Sequence, residues 1–278
     1  MLTRNVFINM ARRLNAPSLG VLEKDYVISC FMDGLMRVKM IATTFVFKGG
    51  TALRKAYFSD WRYSEDIDFS VLPKFPQENF EALLEKSFVL AQERHEMSFR
   101  LKSSHKPNGM VRVRIQYRGP LDYPGVLSLD TFDEPIILEP ERRRLLASFK
   151  ESPTPRVLTY RLEELLAEKL RSLLERGKAR DYYDVWRLLK EKQSQLDLPT
   201  LRDVFQKKCE HKQIIYQGPN QFTVAQKLKE AEPYWERELK QQTSELPSFG
   251  AVIKDLKKCL REIGLSSSML SSPRRSSE

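Results

Sequence analysis

The sequence predicts an α+β protein, with a mixed sheet and flanking helices over residues 1–150 and an all-helical half over residues 151–265. Three observations lead there. Short segments of alternating polar and apolar residues, the period of a half-buried strand, recur up to about residue 150. After Pro155 the apolar residues fall at helical spacing instead. A length of 278 residues, at roughly 150 per domain, allows two units.

The elements follow in chain order. A first helix is expected over Gly20 to Lys39. Thr43 to Lys48 (TTFVFK) is β-branched and aromatic and halts at a glycine pair, as a buried strand does. TALRKAYF, opening at Thr51, can start a short helix. EDIDFSV alternates, which makes a strand with Ile67, Phe69 and Val71 inward. Pro76 is the expected start of a helix that carries Phe80, Leu83, Leu84, Phe88 and Ala91. MSFRLKS, VRVRIQYR and VLSLDTF follow as strands, with turn signals such as Pro107-Asn108-Gly109 between them. Arg161 to Gly177 and Ala179 to Lys192 read as two amphipathic helices separated by Gly177, a fitting helix stop. Further helices are expected at Leu198 to Cys209, Val224 to Gln242 and Phe249 to Ile263. Residues 266–278 (SSSMLSSPRRSSE) bury too little apolar surface to order themselves and are expected to be a disordered tail.

Composition narrows the function. With 41% hydrophobic residues the chain can build a sizeable core, which excludes wholesale disorder. Lys and Arg number 47 against 37 Asp and Glu, a net +10 that suits a polyanionic partner such as nucleic acid. No apolar run approaches the roughly 18 residues of a membrane helix. The N-terminal stretch is interrupted by Asn9, Arg12 and Arg13, so it reads as no signal peptide. Cys30, Cys209 and Cys259 are too scattered for a disulfide framework, and His95, His105 and His211 lack metal-ligand spacing. A soluble, cytoplasmic protein is expected.

Lys48 to Val71 is the segment that points to chemistry. With a strand period of two, Asp66 and Asp68 project from one face and Ile67 and Phe69 from the other. Adjacent carboxylates repel unless a cation lies between them, and all-oxygen ligation suits Mg2+. Gly49 and Gly50 sit between a strand and a helical start at Thr51, where a Cβ-free backbone can approach phosphate closely. A phosphate cradle followed by a carboxylate pair describes a nucleoside triphosphate site with Mg2+ bridging the two. Two-metal transfer calls for a third acidic group. Asp130, opposite Leu127 and Leu129 in its strand, is the preferred candidate over Asp122 and Asp133. In the helical half, Lys169 falls within the stripe of Leu162, Leu165, Leu166 and Leu173. There it either snorkels to water or contacts the triphosphate. Asp181 shares a face with Val185 and Leu188, and it also suits a helix start electrostatically. Arg112, Arg114 and Arg118 line one face of a strand and, with Glu141 to Lys150, form either an RNA track or a solvated basic surface.

These segments together resemble the AbiEii/AbiGii toxin family, which includes the MenT toxins, within the DNA polymerase beta-like nucleotidyltransferase superfamily. KGGTAL followed by RYSEDIDF matches the family's Lys-Gly-Gly-Ser/Thr and Arg-x-Ser-x-Asp-x-Asp pattern. EKDYVIS (Glu23 to Ser29) matches its opening helix, and LLAEKLRSLLERGKARDYYDV (Leu165 to Val185) its later Glu-Lys and Arg-Asp-x-x-Asp motifs. The resemblance spans roughly residues 20 to 190, and Leu198 onward matches nothing comparable.

The resemblance implies a nucleotidyltransferase core at residues 1–150 and a helical domain at 151–265 that contributes Lys169 and Asp181. It implies two Mg2+ ions on Asp66, Asp68 and Asp130, with Lys48, Gly49, Gly50, Thr51, Arg62 and Ser64 around the triphosphate. Arg62 has a second reading, as an ion-pair partner of Asp60 or Asp66. Arg180 is either a phosphate or RNA contact or a partner of Glu164 or Glu168. The implied reaction moves a nucleotide, CMP from CTP or another ribonucleotide, onto tRNA at its 3′ end. The protein would then be a toxin held in check by a separately encoded antitoxin. Two alternatives stand beside it: transfer to a protein or small-molecule hydroxyl, and a catalytically silent RNA- or partner-binding module.

Overall fold

The structure is a computed structural model that describes residues 2–14, 16–73, 75, 79–106 and 110–265. The expected helix start at Pro76, the turn at Pro107-Asn108-Gly109 and the tail at 266–278 lie outside the described residues. The chain forms two compact units, Met1–Arg161 with Gln241–Ser244, and Leu162–Lys240 with Glu245–Glu278.

The first unit is built on a mixed seven-stranded sheet. Its strands are β1 (Phe45–Lys48), β2 (Asp66–Val71), β3 (Ser98–His105), β4 (Met110–Arg118), β5 (Pro124–Phe132), β6 (Glu141–Arg144) and β7 (Arg156–Thr159). They lie in the order β3-β4-β5-β2-β1-β7-β6. β2 and β5 run parallel, as do β1 and β7, and the other neighbours are antiparallel. β1 is buried throughout because it is central, which is why its sequence is continuously apolar up to Lys48. Ile67 and Phe69 of β2 point into the core, where Phe69 meets Phe45 and Phe47 at ring distances of 5.3 and 5.4 Å. On β4 the alternation is complete: Val111, Val113, Ile115 and Tyr117 are buried while Arg112, Arg114 and Arg118 are exposed.

Four short or charged elements were not expected. α1 (Arg4–Arg13) is a helix capped by Thr3, and it buries Phe7 and Ala11. α2 (Leu19–Leu35) matches the expected first helix but stops early, and α3 (Lys39–Thr44) forms separately before β1. β6, read as a basic segment, and β7, placed beyond the expected start of the helical half, complete the sheet. β7 is the reason the division falls after Arg161 instead of at residue 150: Val157 and Thr159 are wholly buried beside β1. α5 (Phe80–His95) buries Phe80, Leu84, Phe88 and Ala91, and a helical turn α4 (Gly49–Ala52) leads into a π turn at Leu53–Tyr57.

The second unit comprises α6 (Leu162–Glu175), α7 (Ala179–Glu191), α8 (Leu198–His211), α9 (Ala225–Leu239) and α10 (Phe249–Glu262), with short 3-10 turns between some of them. Gly177 ends the α6 turn at φ +54, a conformation that costs glycine little. α6 packs on α7 and α8, and α7 on α9 and α10. Leu162, Leu165, Leu166 and Leu173 are buried along α6, as their spacing requires. α9 ends at Leu239, short of the expected Gln242. No described helix is long and apolar enough to cross a membrane.

Candidate active site

Gly49 is where the cradle takes shape. Its φ of +77 lies in the left-handed region, and a Cβ there would come within 2.2 Å of Asp68 Oδ2. Backbone conformation and close approach therefore both exclude a side chain. The turn is pinned from the other side by Thr51, whose hydroxyl donates to the carbonyl of Asp66. A Cβ on Gly50 would meet Arg62 Nη2 at 2.9 Å and Ser64 Oγ at 3.0 Å. Lys48 is buried, with its Nζ 2.8 Å from Glu134 and over the Phe132 and Tyr160 rings at 4.5 and 5.6 Å. So Lys48, Gly49, Gly50, Thr51, Arg62 and Ser64 gather around one glycine turn.

Sheet register then places the acidic groups. Lys48 lies opposite Asp68, Asp68 opposite Asp130, and Asp130 opposite Arg112, across four neighbouring strands. Asp66 and Asp68 are half-buried on one face of β2, as the period of two requires. Asp130 is nearly buried, and the Arg112 fork holds both of its oxygens, Nε at 3.0 and 3.2 Å and Nη2 at 2.8 Å. That hydrogen-bonded pairing holds the Arg112 pKa above its ordinary value. Asp66 and Asp68 offer the oxygen donors a divalent cation takes. The full set of three does not converge: among the described residues no three His, Cys, Asp or Glu side chains surround a point that could hold an ion. Arg112 is the physical reason on the Asp130 side. Asp122, on a left-handed turn residue, instead pairs with Arg118.

Behind the cradle lies a buried ionic cluster that the sequence reading missed. Asp25 of α2 accepts from Arg54 Nε at 2.8 Å and Lys55 Nζ at 2.6 Å, and Ser148 also donates to it. Burial alone would raise the Asp25 pKa, but Lys55 and Arg54 outweigh it and bring it to about 2. Arg54 in turn donates to the carbonyls of Ser59 and Trp61 and stacks 3.6 Å from the Tyr63 ring centroid. Asp25 of α2 thus steadies, through Arg54, the loop that carries Arg62. The spacing of the motif gave no sign of this, because its partners lie roughly thirty residues away in sequence.

In the second unit Lys169 does not snorkel. Its Nζ lies 2.8 Å from Asp184 and 3.2 Å from Asp181, both fully buried, and Arg176 Nε reaches Asp181 at 2.9 Å. Burial raises the Asp181 pKa, and Lys169 with Arg176 more than reverses this, leaving it below the ordinary carboxylate value. Arg180 pairs with Glu238 at 3.3 Å. Glu164 and Glu168, the partners considered for it, are engaged by the buried Lys208 at 2.7 and 3.2 Å.

A family profile described as "Nucleotidyl transferase AbiEii toxin, Type IV TA system" matches residues 36–261. Among solved structures, the chain is similar to MenT4, a nucleotidyltransferase toxin from Mycobacterium tuberculosis H37Rv. The match has a TM-score of 0.60 at 17% identity and covers 98% of this chain and 100% of that one. At that identity the likeness is one of fold. No curated protein matches in sequence. With the profile covering most of its length, the chain belongs to the AbiEii family of nucleotidyltransferase toxins of type IV toxin–antitoxin systems.

Proposed function

We propose that the protein transfers a nucleotide, CMP from CTP, to the 3′ end of tRNA in an Mg2+-dependent reaction, and so blocks translation. The observation that carries the reading is the Asp68 carboxylate lying directly against the Gly49 backbone, an arrangement that suits a cation ligand beside a phosphate cradle. Asp66 and Asp68 would hold the metal, while Asp130, beside Asp68 in register, is held by the Arg112 fork. When bound, Mg2+ ions offset triphosphate charge and acidify the acceptor hydroxyl.

The chain's own residues do the rest. The backbone of Gly49, Gly50 and Thr51 binds the triphosphate, with Lys48, Arg62 and Ser64 around it. Lys169, paired with Asp181 and Asp184 inside its own unit, serves the stability of that unit. The acceptor oxygen attacks the α-phosphorus, and the bond to the leaving pyrophosphate breaks. Arg112, Arg114 and Arg118, exposed on β4, suit an RNA backbone approaching the same sheet face. A protein that stops translation requires a restraint, here a separately encoded antitoxin, and tRNA places the reaction in the cytoplasm.

The test is incubation with each labelled ribonucleoside triphosphate, Mg2+ and total RNA, beside an Asp68→Ala variant. Label on tRNA from the intact protein alone is the expected result, with the variant down about a thousandfold or more. Label on protein or on a small molecule would move the acceptor to those classes. RNA binding without any label would reduce the protein to a binding module.

A further inference from the structure

Two rows of side chains cross one face of the first unit's sheet in register. One row is Lys48, Asp68, Asp130 and Arg112; the next is Asp66, Ser128 and Arg114. Both rows end on an arginine of β4, but the two arginines are engaged differently. Arg114 donates to the Ser128 hydroxyl at 2.7 Å, whereas Arg112 closes a fork on both oxygens of Asp130. Asp130 keeps 7% of its surface, while the Arg112 side chain is 48% exposed, so the guanidinium covers the carboxylate from the solvent side. Asp66 and Asp68 lie close enough to add to the field that raises the Arg112 pKa, after Asp130 itself.

We propose that the site takes a single divalent cation, on Asp66 and Asp68, and that Arg112 occupies on Asp130 the place a second would need. The inference rests on the reading of Asp66 and Asp68 as metal ligands. A metal reaching Asp130 has to open a bidentate, charge-assisted pair and shed water to do so, and Mg2+ gives up water reluctantly. Breaking such a pair also strands a carboxylate that is nearly buried. Strand register makes the pair durable. Arg112 and Asp130 are direct cross-strand neighbours, so the fork closes within the sheet itself. A guanidinium stays charged at every working pH, so this cation is never lost by titration. Nε and Nη2 are the atoms spent on Asp130, which leaves the Nη1 edge for a phosphate oxygen.

The experiment counts the Mn2+ bound per chain, using the paramagnetic resonance signal of the free ion, because Mn2+ takes the same oxygen ligands as Mg2+. Wild type should bind one ion, and Asp130→Asn should still bind one. Arg112→Ala, its fold checked by circular dichroism, should bind a second, and adding Asp130→Asn to it should return the count to one. Arg112→Lys keeps a cation beside Asp130 and should stay at one. Two ions in wild type, falling to one in Asp130→Asn, would overturn the proposal. So would a folded Arg112→Ala that still binds one. Should Arg112→Ala not fold, the comparison of wild type with Asp130→Asn decides alone. Equal binding by Asp68→Ala and wild type would instead remove the reading of Asp66 and Asp68 as metal ligands.

Discussion

Asp66 and Asp68 stand half-buried on a sheet face, whereas Asp181 and Asp184 are sealed inside a helical unit with Lys169 and Arg176 beside them. The contrast is one of how charge is compensated. In the helical cluster Lys169 and Arg176 lie against buried Asp181 and Asp184, and these members hold one another. On the sheet, Arg112 takes Asp130, and Asp66 and Asp68 stand half-exposed beside a glycine turn. A site that takes a cation keeps its carboxylates within reach of solvent; a cluster buried with its own cations becomes part of the fold.

The sharpest way to break this comparison is Lys169→Ala. Removing it leaves two buried carboxylates with reduced compensation, so denaturant unfolding should lose about 3–5 kcal/mol. Asp68→Ala, which removes a half-exposed carboxylate, should change the unfolding midpoint far less. An unchanged unfolding midpoint in Lys169→Ala would mean that the helical cluster is not structural, and the contrast would collapse.

A smaller effect comes from acid. Asp25, like Asp181, is a buried carboxylate held by two cations, and its folded pKa of about 2 lies below the ordinary 3.8. A depressed carboxylate pKa contributes stability that is complete above the unfolded value and vanishes as pH falls through the folded one. Asp25 therefore adds about 2 kcal/mol that should disappear between about pH 4 and pH 2. Asp25→Asn should be less stable at neutral pH and should lose less on acidification. An acid limb as steep as that of wild type would assign the loss to other carboxylates.

The smallest expected change concerns the exposed arginines. Arg114 donates to Ser128 at 2.7 Å, a neutral partner that leaves its charge available to RNA. Arg114→Ala should weaken RNA binding uniformly across sequences and lower the salt slope by about one. An unaltered slope would make this a solvated basic face.

What could be read in advance depended on whether a residue's partners were near it in sequence. Period-two alternation put Asp66 and Asp68 on one face and Ile67 and Phe69 in the core without knowledge of any neighbouring strand. The leucine stripe of α6 and the stop at Gly177 were legible for the same reason, since helical repeat and glycine conformation are local. β6 and β7 were not. Four residues carry little period, and β7 is a strand because β1 lies beside it. That Gln241–Ser244, beyond α9, belong to the first unit was equally illegible, since an amide such as Gln242 has no preference that announces a distant arginine.

By itself, then, the sequence determined the α+β class, the carboxylate pair, the glycine turn and the family, because alternation, missing Cβ atoms and motif spacing are properties of short stretches. Only the tertiary structure decided which charges meet. Asp130 faces Arg112 through strand register, Lys169 turns from solvent to Asp181 and Asp184, Asp25 gathers Arg54 and Lys55, and Gln242 reaches Arg62. The physical reason is that burial makes an uncompensated charge costly, and its compensation comes from whatever the fold brings alongside, however far away in the chain.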